Sequence, residues 1–142
     1  MKNYKSILLI LSFITCVTQA CGFIKTGITS KNEITVSSVE EVFAAIKNAR
    51  AGDVILVKSG NYAFKQRIDI KLSGSETAPI AFINHPDNQT RPLFDFSDLA
   101  EASSNQGIIL RASYWHIKGL DIFKAGDNGI LVNGNSNIIV HC

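Results

Sequence analysis

The sequence predicts an all-β chain coiled as a right-handed parallel β-helix, a solenoid of stacked turns, with one capping α-helix ahead of about four turns. Three observations carry this expectation. Asn105-Gln-Gly-Ile-Ile-Leu-Arg-Ala-Ser-Tyr-Trp-His-Ile aligns, 22 residues on, with Asp127-Asn-Gly-Ile-Leu-Val-Asn-Gly-Asn-Ser-Asn-Ile-Ile, so that Gly107 falls on Gly129, Ile108 on Ile130 and Ile117 on Ile139. Beyond Asp53 the chain is a series of short β-branched runs separated by Gly, Asn, Asp and Ser, with no helical period between them. A step near 22 residues holding two or three short strands is one turn of a solenoid in which like strands stack and bury a continuous apolar column. An antiparallel sandwich would also show short strands, but hairpin signals are scarce and a sandwich predicts no repeat at one-turn spacing.

Taken in order, the chain opens with Lys2 and Lys5, the apolar run Ile7 to Ile14, and small and polar residues from Thr15 to Ala20. That order reads as an export signal over residues 1–20. The run is far shorter than the ~20 residues a membrane span needs. Cleavage before Cys21 would release either a secreted protein or a surface lipoprotein lipidated on Cys21. Residues 21–33 form a polar leader with Gly22 and Gly27, expected to act as a flexible tether. The expected β-helix unit is 34–142. It starts with a strand at Ile34 to Val36. Next comes a helix over about 38–51, with a Ser38/Glu41 capping box and Val39, Val42, Phe43 and Ile46 on one face. Gly52 is the expected stop. Strands are expected at 54–57, 67–70, 80–83, 93–96, 108–110, 116–122, 130–132 and 138–140. The amphipathic helix has a clear task, since a β-helix end exposes an apolar stack and unpaired backbone. His141 and Cys142 fall in mid-turn with no terminal cap beyond Val140, so the expectation is an N-terminal fragment or truncated product.

Charge excludes one class of function. Lys2 and Lys5 account for two of the 14 Lys+Arg, leaving 12 against 12 Asp+Glu, so the mature part is near neutral and without basic runs. Nucleic-acid binding, which rests on neutralising phosphates, is not expected. The three cysteines, Cys16, Cys21 and Cys142, make neither a disulfide framework nor a zinc site, and Cys142 reads as a small buried packing residue.

Several stretches carry a family resemblance: Ala49-Arg-Ala-Gly-Asp-Val-Ile-Leu-Val, Lys58-Ser-Gly-Asn-Tyr, Tyr114-Trp-His-Ile-Lys-Gly-Leu-Asp-Ile, Ala125-Gly-Asp-Asn-Gly-Ile and Asn135-Ser-Asn-Ile-Ile. Over residues 34–142 the chain resembles the N-terminal region of family 9 polysaccharide lyases, the pectate lyase group. The resemblance implies calcium-dependent β-elimination of polygalacturonate in the full-length protein, with pectate as the partner. In that chemistry calcium neutralises the uronate carboxylate and a Lys of lowered pKa removes the C5 proton. The family's Asp-Asp-Gly-Trp-Asp run does not occur here, and the single Trp, Trp115, stands outside any acidic cluster. The calcium ligands are therefore not expected in this chain, which reads as inactive alone. The alternatives are a non-catalytic β-helix that presents a carbohydrate-binding or adhesive surface, and a lyase for another uronic-acid polymer such as alginate or chondroitin sulfate.

No residue is assigned a catalytic, cofactor or metal role. Asp95 with Asp98, and Asp121 with Asp127, could be pictured as calcium ligands but read better as turn caps or solvated residues. Lys118, in a strand next to Gly119, lacks the acidic neighbours an elimination base would have. Tyr114 and Trp115 read as corner packing before a sugar platform. Asn133, Asn135 and Asn137 read as left-handed turn residues. His85 and the Asn88-Gln-Thr triplet read as surface positions.

Overall fold

The computed structural model describes residues 32–142. The expected export signal, Cys21 and nearly all of the expected leader lie outside the described residues. Eleven short strands and one helix follow in chain order: β1 Glu33–Val36, α1 Val39–Asn48, β2 Val54–Val57, β3 Asn61–Ala63, β4 Ile68–Ile70, β5 Ile80–Asn84, β6 Leu93–Asp95, β7 Ile108–Leu110, β8 Trp115–Lys118, β9 Asp121–Phe123, β10 Ile130–Val132 and β11 Ile138–Val140. They stack into three sheets, A in the order β1-β2-β5-β8-β11, B in the order β3-β6-β9 and C in the order β10-β7-β4. Every pairing is parallel. From β2 onward the chain visits A, B and C in rotation, which makes the molecule a parallel β-helix, as the repeat predicts.

The register bears out the alignment residue by residue: Ile108 pairs with Ile130 and Ile117 with Ile139. The 22-residue step holds only for that last turn. Val54 pairs with Ala81 and Ala81 with His116, steps of 27 and 35 residues, because longer connections interrupt the earlier turns.

Alternating side chains enter the interior. Phe64, Phe82, Phe94 and Phe96 form a fully buried aromatic column, with ring centroids 4.9 to 5.7 Å apart, beside Ile68, Ile70, Ile80, Ile108 and Leu110. Each such side chain contributes about 1.5–3 kcal/mol by leaving water. Helix α1 adds Val42, Ala45 and Ile46 to this core and sets Phe43 edge-on to Phe64 at 5.7 Å. It packs on β1 and β4.

Local chemistry moves several expected boundaries. The helix ends at Asn48 and not near Arg50, because the Asp53 carboxylate takes the Arg50 N–H at 2.8 Å and Asp53 N donates to Arg50 O at 3.0 Å. Gly52 then supplies the positive φ of 89° inside that turn. Ser38 Oγ caps Glu41 N at 3.2 Å, but the Glu41 carboxylate reaches past Ser38 to Ser37 N at 2.6 Å, so the reciprocal half of the capping box is displaced by one residue. The expected strand 116–122 is two strands, β8 and β9, because Gly119 turns the chain at φ 71°. Strand β3 was not expected, since its three residues bury only Tyr62.

The left-handed corners also differ from expectation. The asparagines do not hold them; Tyr114 and its 22-residue equivalent Ser136 do, at φ 60° and 54°, with His141 matching Gly119 in the same way. Asn137 works through its side chain instead, accepting from Trp115 N and donating to Ala112 O, both at 2.9 Å. That places two otherwise unpaired backbone groups on one amide.

Candidate functional site

The connection between β6 and β7, residues 96–107, lies against the neighbouring turns. Ala102 N donates to Gly126 O at 3.2 Å, Asn105 Nδ2 to Ala100 O at 2.7 Å, and Arg67 Nη1 to Ser104 O at 2.7 Å. Asp127 accepts from buried Gln106 at 3.1 Å. The segment forms a wall beside the outer face of sheet C.

Strand geometry determines what that face carries. Ile68 and Ile70 point inward, so Asp69 between them points out, with Ile109 and then Leu131 in register with it on the next turns. Because Ile70 pairs with Leu110 and Leu110 with Val132, the residues just past the strands, Lys71, Arg111 and Asn133, follow one another up the solenoid about 4.8 Å apart. Two like charges thus occupy adjacent turns. The Asp69 carboxylate bridges them, with Arg111 Nε at 3.1 Å from one oxygen and Lys71 Nζ at 3.5 Å from the other. Lys65 and Arg67 approach from the B–C corner and line a hollow of about 430 Å³ with Asp69 and Ser104. A second hollow of about 450 Å³, between α1 and Leu72, also reaches Asp69 and Lys71. Two cations therefore pair with one carboxylate, and two more line the hollow beside it, on a face flanked by two hollows. Ion pairs this exposed stabilise the fold by only about 0–1 kcal/mol.

None of these residues was singled out in the sequence. The signal was present, since Ile68-Asp-Ile-Lys and Ile108-Ile-Leu-Arg share a pattern ending in a base, but a 40-residue separation hid it behind the 22-residue repeat.

The candidate residues named from the sequence lie elsewhere. Asp95 accepts from Ser97 N at 2.9 Å and from Ser97 Oγ, and these two bonds, the hydroxyl's first, hold its carboxyl below the usual range. Asp121 pairs with Arg91 at 2.7 Å, and Asp127 binds Gln106 and Asn128. Calcium takes six to eight clustered oxygens. Among the described residues no three His, Cys, Asp or Glu side chains come together to hold a metal, so they do not fit a calcium site. Lys118 is on the outer face of sheet A, in register with Ile83 and Val140, remote from the sheet C cations. Trp115 is fully buried, its Nε1 donating to Leu72 O at 2.7 Å. Two expectations need correction. Cys142 is exposed and not packed inside. His85 keeps only 16% of its side chain exposed, because its N–H binds Val57 O and its Nδ1 accepts from Asp87 N. The Asn88 amide is likewise tied to Val57 O and Asn84.

Among the described residues no helix is long and apolar enough to cross a membrane. Residues 23–142 match the family described as Pel9A-like, right handed beta helix region. Pectate lyase L of Paenibacillus polymyxa (strain SC2) is 35% identical over 101 residues, 68% of this chain and 21% of that protein. Pectate lyase L of Dickeya chrysanthemi is 31% identical over 119 residues, 78% of this chain and 28% of that protein. The chain thus spans under a third of the length of these relatives. Among solved structures, a PL6 family polysaccharide lyase from Pseudopedobacter saltans aligns over 71% of this chain and 19% of its own, with a TM-score of 0.45 and 24% identity.

Proposed function

The chain belongs to the Pel9A-like right-handed β-helix family, and on that premise we propose that it is the N-terminal part of a secreted, family 9 pectate lyase-like enzyme that cleaves polygalacturonate by β-elimination. The observation that carries this reading is the family match across 23–142 on a solenoid of parallel strands whose last turn repeats in register. Two pectate lyases among its relatives support an acidic polysaccharide as the substrate. The Lys2-to-Ala20 segment supports export, with lipidation of Cys21 the alternative route to the cell surface. A neutral surface with one basic face suits a polymer of spaced carboxylates better than a nucleic acid.

β-Elimination removes the proton on C5 of a uronate and expels the glycosidic oxygen at C4. It requires the neighbouring carboxylate to be neutralised and a base of matched pKa. Calcium would supply that neutralisation from ligands outside the described residues, so the 142-residue polypeptide by itself should not cleave.

The test is to read the source DNA beyond the Cys142 codon and to assay the product of the whole open frame. A frame continuing through further turns into clustered Asp and a Lys is expected, together with calcium-dependent release of unsaturated product from polygalacturonate. A stop codon directly after Cys142, or release from alginate or chondroitin sulfate in place of polygalacturonate, would overturn the reading.

A further inference from the structure

We propose that Lys71 and Arg111, stacked on adjacent turns of sheet C, form a binding subsite for the carboxylates of an acidic polysaccharide, with Asp69 holding the two cations side by side. This rests on the reading of an acidic polymer as the substrate, and goes beyond it by placing a contact on turns where the described residues do not fit a calcium site.

The geometry supports this in three steps. Parallel stacking puts the two cations about one strand spacing, ~4.8 Å, apart along the solenoid. Like charges at that separation repel, and a single carboxylate, Asp69, satisfies one face of both through its two oxygens. Lys71 and Arg111 keep 69% and 44% of their side chains exposed, so each has donors left over on the solvent side. The guanidinium can take a carboxylate in a two-point fork, and the ammonium acts as a point charge beside it. Lys65 and Arg67 extend the positive strip along the neighbouring hollow, and Arg67, tied to Ser104 O, holds the wall of the groove in place. A linear polyuronate, with one carboxylate per sugar, matches such a strip by charge and by its repeated spacing.

The experiment is affinity electrophoresis of the full 142-residue chain through gels holding polygalacturonate, fully methyl-esterified polygalacturonate, or no polymer. It compares wild type, Lys71→Gln/Arg111→Gln, and a control carrying Lys58→Gln on the far corner. Circular dichroism of each variant shows that the fold is kept. Retardation by the free acid alone, weakened about tenfold in the double variant and nearly unchanged in the control, is expected. If wild type and double variant are retarded alike, the subsite is overturned while the acidic-polymer reading stands. If the Lys58→Gln control weakens retardation as much, charge for charge, as the double variant, binding follows net charge and the subsite is overturned as well. If folded wild type is not retarded by any polyuronate, the acidic-polymer reading falls and the subsite falls with it.

Discussion

The two ends of the described solenoid are built from the same strand pattern and differ in how much of it is covered. Near α1, the inward residues Val57, Phe64, Ile68 and Ile70 are all fully buried, because the helix lays Val42, Ala45 and Ile46 over the stack. On the last described turn such columns are uncovered: Val132, in the column of Ile70 and Leu110, is 44% exposed, and Ile139, in the column of Ile55, Phe82 and Ile117, is only partly buried. An inward direction is set by strand alternation, but burial needs a neighbour on both sides. Each turn of a solenoid supplies half of the next turn's core.

The sharpest way to break this comparison is to cut the aromatic column. Phe64→Ala should cost about 3–5 kcal/mol, since the ring is fully enclosed by Phe43, Phe94 and Phe96. Val132→Ala, in the uncovered columns, should cost under about 1 kcal/mol. Urea unfolding followed by Trp115 fluorescence measures both; equal losses would show that the two ends are packed alike. Asn137→Ala probes how the last described turn is fastened to the one before it, because it leaves the Trp115 N–H and the Ala112 carbonyl without their partner. It should cost about 1–3 kcal/mol and expose the turn from Asn133 to Asn137 first in hydrogen exchange.

The smaller effects lie at the helix that makes the difference. Ser38→Ala removes the N-cap and should cost about 1 kcal/mol. The hydrogen bonds from Ser37, its N–H first and then its hydroxyl, lower the Glu41 carboxyl from its ordinary value near 4.5. A depressed folded pKa adds stability that is present above the unfolded value and is lost as the pH falls through the folded one. Acidification below about pH 4.5 should therefore loosen α1, and Glu41→Gln should flatten that dependence in helix circular dichroism against pH. An unchanged acid profile in Glu41→Gln would assign the loosening to another group.

Much of this was legible in the residues alone. The 22-residue repeat predicts the β7–β10 and β8–β11 registers to the residue, because identical strands stack most readily when the residues between them are equal in number. The earlier turns were legible as strands but not as a period, because the 85–92 and 96–107 connections stretch one turn to 35 residues. Strand β3 escaped notice because it buries one side chain, and the single run 116–122 hid a corner that only the positive φ of Gly119 reveals.

The sequence by itself determined the fold class, the helix face and the last-turn register, since hydrophobic period, capping residues and repeat length are local properties. Tertiary structure alone decided which charges meet. Lys71 and Arg111 are brought to adjacent rungs by a turn of irregular length, and Asp69, which lies two residues from Lys71 on the same strand face, meets Arg111 only because the parallel strands lie side by side. Coulomb contacts depend on distance in space, and in a solenoid that distance is set by the turn and not by separation along the chain.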